Sequence, residues 1–331
     1  MAEANIAGIL LTLDGVDLAD KINPRFKELT LTEKRGGEAD QLSLTLNNAD
    51  GAMALPEPGK IIGLSLGWIA GTDVPLGLVD KGRFTVDEVE DTGLPDEISI
   101  TARSVDMNGT YRKRRTHAWK DTTLGAVVGE IASRNAITAQ VHPDLAIKPI
   151  TAIEQAGKSD MAFVRDLGSR YDAVATWKDR KIILMPVGST TTASGTTIPM
   201  LTITRREGWE HRFTQAQRDQ YDGAEAQYHD PAAGRRRTVS TGGTNRKRLK
   251  RVYASEADAH QAATAEAARG QRGAYQFEYD LAIGDPAIVP NRRVTLSGWN
   301  TKIDGLSWLV DGVDTSMGAG GLKQRLTLES A

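Results

Sequence analysis

The chain has 331 residues, a formal net charge of −2 and no cysteine. That length allows two or three domains with cores of their own, and 40% hydrophobic with 25% charged residues is the balance of a folded globular chain. The missing cysteines exclude disulfides and thiolate zinc or iron–sulfur centres, and the charge balance excludes a nucleic-acid binder acting over its whole surface.

The stretch from Met1 to Leu13 lacks the basic flank of a secretion signal. No window reaches the roughly 20 apolar residues of a bilayer span. A chain made in a cytoplasm, with no membrane span, is expected. From Gly8 to Ser104 the pattern is β. Leu42, Leu44 and Leu46 alternate with Gln41, Ser43 and Thr45, the period-2 pattern of a half-buried strand. Phe84 and Val86, then Ile98 and Ile100, do the same. Asp14-Gly15, Asp50-Gly51, Pro56 to Gly59 and Gly93 to Pro95 supply turns between the runs. Residues 1–110 are therefore predicted as an N-terminal β-barrel-like domain.

Arg112 to Arg115 form a basic connector. Beyond it Leu124, Val127, Val128, Ile131 and Ala132 recur at helical spacing, with Thr123 as N-cap and an end near Asn135. A second helix is predicted from Ser159, stacking Phe163, Leu167 and Tyr171. Ala173 to Trp177 and Lys181 to Met185 read as strands round a polar turn. Residues 111–187 make a small α/β domain. Gly188 to Thr197, rich in Ser, Thr and Gly, is a loop by composition. The remainder returns to β, with Ala224, Ala226 and Tyr228, then Tyr275, Phe277 and Tyr279, alternating with polar neighbours. Val294 with Leu296, Leu306 to Val310, and Leu326 with Leu328 follow. Ser255 and Asp258 resemble a capping box before an alanine-rich helix over about 255–270. Residues 188–331 are a C-terminal β-barrel-like domain with that helix inserted. The fold class is α+β, mainly β: two barrel-like β domains flanking a small α/β domain.

Motifs of known chemistry are absent. There is no GxSxG elbow, P-loop, GxGxxG or HExxH. His117, His142, His211, His229 and His260 include no pair at helical ligand spacing, so they read as surface or structural residues and no metal site is expected. Asp87, Glu88, Glu90 and Asp91 could supply a carboxylate pair for glycoside hydrolysis, but an acidic run at a strand end is ordinarily a solvated turn. Gly318 to Gly321 reads as a turn rather than a phosphate cradle, since no helix follows. Six dispersed tryptophans suit core anchors. The distinctive feature is basic: Arg235, Arg236, Arg237, Arg246, Lys247, Arg248, Lys250 and Arg251, with no acid among them. Clustered cations suit phosphate, yet stacking aromatics are missing from the run. A long hairpin or loop that stays hydrated or meets an acidic protein partner is the preferred reading.

Three stretches carry a family resemblance. They are Trp119-Lys-Asp-Thr-Thr-Leu-Gly with its helix, Glu154-Gln-Ala-Gly-Lys-Ser-Asp-Met-Ala-Phe-Val-Arg-Asp-Leu-Gly-Ser-Arg-Tyr171, and a C-terminal run. The last runs through the alanine-rich helix, Gly284-Asp-Pro, Trp308-Leu-Val and the Gly-rich turn. Together they resemble the late control gene D family of contractile-tailed phages, the tail hub family related to the hub portion of type VI secretion VgrG spikes. Asp314 departs from it, standing where many members have histidine.

The resemblance implies a structural, non-enzymatic hub of a contractile phage tail or related injection particle, with no cofactor. It implies a homotrimer forming a pseudo-six-fold ring. The ring would join a hexameric tail tube protein to a trimeric spike protein, among other baseplate proteins. Because the sequence stops at Ala331, the spike is expected to be a separate protein. The place implied is the virion baseplate, with assembly in the bacterial host cytoplasm. Nucleic acid would meet the chain only in passing through the channel. Two alternatives from other classes are a tail-associated peptidoglycan-degrading enzyme and a nucleic-acid-binding module built on residues 235–251.

Overall fold

The computed structural model describes residues 4–104, 110–215 and 221–331. Among the described residues, strands take 53% and helices 19%, so the molecule is mainly β there. The first part holds β1 (Ile6–Leu13), β2 (Val16–Asp17), the single turn α1 (Ala19–Ile22), β3 (Phe26–Lys34), β4 (Gln41–Asn47), β5 (Ile61–Ala70), β6 (Gly77–Thr92) and β7 (Glu97–Arg103). The alternation that marks these strands is what buries them. Leu42, Leu44, Leu46, Phe84, Val86, Ile98 and Ile100 all turn inward to one core, and their polar neighbours face out.

The middle part runs β8 (Arg114–Thr123), α2 (Leu124–Arg134), β9 (Thr138–Val141), α3 (Pro143–Ala146), β10 (Pro149–Ser159), α4 (Asp160–Arg170), β11 (Ala173–Lys178) and β12 (Lys181–Pro186). Thr123 caps α2, its hydroxyl accepting from the Ala126 amide at 3.3 Å, and Ser159 caps α4 through the Ala162 amide at 3.2 Å. The expected basic connector is shorter than read, because Arg114 and Arg115 already belong to β8. β8 and β10 form a hairpin, and β11, β12 and β9 form a second small sheet. The two longer helices bury Leu124, Val127, Val128, Ile131, Phe163, Val164 and Leu167 among these strands.

The last part contains β13 (Leu201–Thr204), β14 (Gly208–Gln215), β15 (Gly223–Asp230), β16 (Arg235–Gly242), β17 (Arg246–Tyr253), α5 (Glu256–Arg272), β18 (Tyr275–Leu281), β19 (Arg293–Ser297), α6 (Thr301–Asp304), β20 (Ser307–Gly318) and β21 (Gly321–Ser330). One 13-stranded sheet joins the two ends of the chain in the order β14-β18-β21-β20-β3-β4-β7-β6-β5-β1-β2, with β19 on β20 and β13 on β19. The seam is β20 against β3, where Asp314 stands opposite Thr32 and accepts its hydroxyl at 2.7 Å. Tryptophan adds a tie, since the buried Trp68 indole donates to the Gly284 carbonyl at 2.8 Å. The C-terminal strands surround their own core of Phe277, Tyr279, Trp308, Val310, Leu326 and Leu328.

The strands β15, β16 and β17 lie within the stretch 188–331 expected to form one C-terminal β-barrel-like domain. In the structure they form a separate three-stranded sheet that carries α5 on one face. Ala224, Ala226 and Tyr228 meet Ala259, Ala262, Ala263 and Ala267 in a fourth, small core. The alanine richness of α5 follows from this contact, because small side chains let helix and sheet approach closely. The helix continues past Gly270 to Arg272 and ends at Gly273.

Candidate assembly interface

The basic run is two strands, not a loop. Gly243 to Asn245 connect β16 to β17, but the two do not pair as a hairpin. β15 lies between them, antiparallel to β16 and parallel to β17. With Ala224, Ala226 and Tyr228 turned to α5, alternation sends Glu225, Gln227 and His229 to the opposite face. Arg236 stands opposite His229 and Arg248 opposite Glu225, so that face is basic. All eight cations are exposed. Arg237 pairs with Asp230 at 2.9 Å, Arg248 with Glu225 at 3.4 Å, and Lys247 with Glu266 of α5. The Arg251 guanidinium lies 6.0 Å from the Tyr253 ring centre. Among the described residues, Arg235, Arg236, Arg246 and Lys250 have no acidic partner.

The motif from Glu154 to Tyr171 is brought together as a buried polar staple. Asp160, the first residue of α4, is 0% exposed. Its carboxylate accepts from the Gln155 and Asn135 side-chain amides, each at 2.8 Å, and lies 3.6 Å from the guanidiniums of Arg115 and Arg134. Gln155 also donates to the Lys158 carbonyl at 2.9 Å, closing the turn before the helix. At the other end of α4, Arg170 reaches Asp258 of α5 at 2.7 Å and lies 5.0 Å from the Tyr253 ring centre. The expected capping box is thereby altered. The Ser255 hydroxyl accepts from the Asp258 amide at 3.2 Å and donates to the Asp258 carboxylate at 3.0 Å. Asp is too short to reach back to the Ser255 amide, and its other oxygen serves Arg170.

A third polar cluster ties β3 to the middle part. Lys81 and Glu33, both buried, pair at 2.7 Å. Lys178 at the end of β11 reaches Asp40 at 2.9 Å and Glu33 at 3.8 Å. Burial by itself would lower the Lys178 pKa, but the carboxylates of Asp40 and Glu33 outweigh it and hold the ammonium above its ordinary 10.5.

The remaining candidates fall elsewhere. Asp87 pairs with Arg103 at 3.0 Å, while Glu88, Glu90 and Asp91 are exposed along the free end of β6. His117 lies 3.2 Å from Glu130, His142 caps α3, His211 stacks on Phe277, and His229 and His260 are exposed. Among the described residues no three His, Asp or Glu side chains gather as a metal site would require, and no helix is long and apolar enough to cross a membrane. Gly318 and Gly321 flank the two-residue turn joining β20 to β21. Trp209 breaks the core-anchor expectation, being 56% exposed on β14 with the Lys323 ammonium 5.5 Å over its ring.

Comparison with known proteins gives this architecture a family. Two curated relatives, the probable baseplate hub proteins of Escherichia phages P2 and 186, are 35% and 34% identical. Each alignment covers 97% of this chain and 92% of the relative. Among solved structures, the tail protein of Neisseria meningitidis MC58 matches with a TM-score of 0.69 at 10% identity, over 98% of this chain and 96% of that one. An Escherichia coli component of the type VI secretion system, described as similar to phage T4 tail proteins, matches with a TM-score of 0.56 at 12% identity, over 93% of this chain and 74% of that one. At those identities the structural matches speak for the fold alone. The model of the phage tail baseplate hub (GPD) family matches residues 67–321, and the chain belongs to that family.

Proposed function

We propose that the chain is a structural, non-enzymatic hub whose three copies close into a ring between a six-fold tail tube and a three-fold spike. The observation that carries this reading is the match to baseplate hub proteins along nearly the whole chain. The fold supports it: one continuous sheet wraps two separate β cores, one from each end of the chain. We read each as a barrel-like unit within residues 1–110 and 188–331, with the β15–β17 sheet and α5 standing apart from the second unit and residues 111–187 a smaller body between them in sequence. Three chains then offer six barrel-like units, which reconciles a trimer with six-fold neighbours. The partners in this reading are the chain itself, a spike protein, a tube protein and other baseplate proteins, and the place is the tail baseplate after assembly in the host cytoplasm.

The test is mass in solution, with and without a candidate spike protein. A species of about three times 35.8 kDa in at least one condition is expected. A stable dimer in both would defeat the ring.

A further inference from the structure

The four unpaired cations of β16 and β17 have a counterpart on the same chain. Eight cations in a chain of net charge −2 leave the other residues ten negative, and part of that excess is concentrated. Between Phe84 and Ala102 there are six acids and no base. Asp87 and Glu97 are held by Arg103 and Lys27. Glu88, Glu90, Asp91 and Asp96 are exposed and, among the described residues, have no cationic partner. They lie on the β6–β7 arm, which runs beyond Val86, where pairing with the β5 side ends. At the tip stands Leu94, 91% exposed, more than any other large apolar side chain described. Among the described residues, no ion pair joins this arm to the basic strands within one chain.

Beside the basic strands lies a receptacle. A cleft of about 360 Å³ opens between the β8–β10 hairpin and β17. Trp119, Ile153, Val252 and Tyr253 line it, together with Arg251 and His229 of the basic sheet. Resting on the ring reading above, we infer that the β6–β7 arm of one copy docks on the basic sheet of the next. Leu94 enters the cleft, and Glu88, Glu90, Asp91 and Asp96 meet Arg236, Arg246 and Lys250 on the face turned away from α5. An apolar tip inside a rim of opposite charges is the arrangement of an interface anchor. Two different surfaces on one chain make a heterologous contact, which closes into a ring when the rotation allows.

The surroundings favour a protein over nucleic acid. Glu225 and Asp230 sit among the cations, where they would repel phosphate. Tyr228 is buried against α5 and offers no stacking platform on the basic face.

The chain has no cysteine, so pairs of introduced cysteines report contacts without background. Leu94→Cys/Val252→Cys, treated with a short bismaleimide linker in the ring assembled with the spike, should give two- and three-chain species on a denaturing gel. Either single variant should give none above two chains. Glu88→Lys/Glu90→Lys/Asp91→Lys, or Arg236→Glu/Arg246→Glu/Lys250→Glu, should weaken assembly at least tenfold, and combining the two sets in one chain should restore it. All these positions are exposed, so folding is checked by an unchanged thermal midpoint. An assembled ring in which the double-cysteine chain stays single on the gel overturns the docking and leaves the ring intact. Failure to assemble in any condition overturns both. Charge-reversed β16–β17 that assembles normally but loses salt-dependent binding to a random-sequence DNA duplex reassigns the basic sheet to nucleic acid and likewise overturns the docking.

Discussion

At the scale of single residues, the strongest demands sit in the motif that carried the resemblance. A fully buried carboxylate is tolerated only when its oxygens are satisfied. Asp160 meets that condition with two amide donors and two nearby guanidiniums drawn from β8, α2 and β10. Asp160→Ala would leave Gln155 and Asn135 without their acceptor and two cations without their counter-charge. The expected loss is about 3 kcal/mol of unfolding free energy, read from a urea titration. Asp160→Asn, which keeps one acceptor oxygen, should lose less. The motif glycines have an equally physical reason. A Cβ on Gly168 would meet the Ala175 Cβ at 2.8 Å and the Ala173 carbonyl at 2.9 Å, and one on Gly125 would meet Ala146 at 3.0 Å. Each glycine marks where a helix touches its neighbour. The chain's spelling of Gln, Ser-Asp and Leu-Gly was plain in the sequence. The reason for it was not, because Asn135 and Asp258 lie too far along the chain for any local pattern to join them.

At the scale of elements, local period and capping residues were enough to find strands and helix starts. Thr123, Ser159 and Ser255 each cap the helix expected to follow. What local pattern does not encode is pairing between distant strands. The basic run is expected as a long hairpin, yet β15 inserts between β16 and β17, so that Val239, Leu249 and Tyr253 flank Ala224, Ala226 and Tyr228 against α5. Likewise nothing in β3 announces β20 as its neighbour.

The Lys178 contact is another such join, between the end of β11 and the β3–β4 region. Its pKa lies above 10.5 in the folded chain, so the folded state holds its proton more tightly than the unfolded one. The contribution is complete below about pH 10.5 and fades as pH rises through the folded value. Compared with Lys178→Met, the natural chain should be more stable by about 1–2 kcal/mol at neutral pH, discounted for the partial exposure of the ammonium. That margin should narrow as pH rises past the ordinary 10.5 and through the folded value. Urea midpoints of both proteins across this range check it. A margin that stays constant would mean that Lys178 contributes by packing alone.

At the scale of the whole molecule, the question is what keeps four separate cores in fixed relation. Besides the shared sheet, the joins are polar, and the innermost is buried. Arg170 to Asp258 locks the middle part to the sheet that carries the basic face, with Arg272 to Asp172 and Arg269 to the Ser169 carbonyl beside it. Arg170 and Asp258 are only 8% and 4% exposed. Desolvating both charges costs about what their attraction returns, so such a pair fixes geometry more than it adds net stability. Removing one partner should be severe: Asp258→Ala strands a buried guanidinium and should cost about 3–5 kcal/mol. Replacing both, as Arg170→Met/Asp258→Leu, should recover most of that loss in thermal unfolding. A ring needs each chain to present two surfaces at a fixed angle, and Arg170 also lines the cleft beside the basic strands. The double replacement should therefore fold with near-normal stability yet assemble poorly with its neighbours. If it both folds and assembles like the natural chain, the ion pair has no part in setting that angle, and the shared sheet alone holds the two surfaces in place.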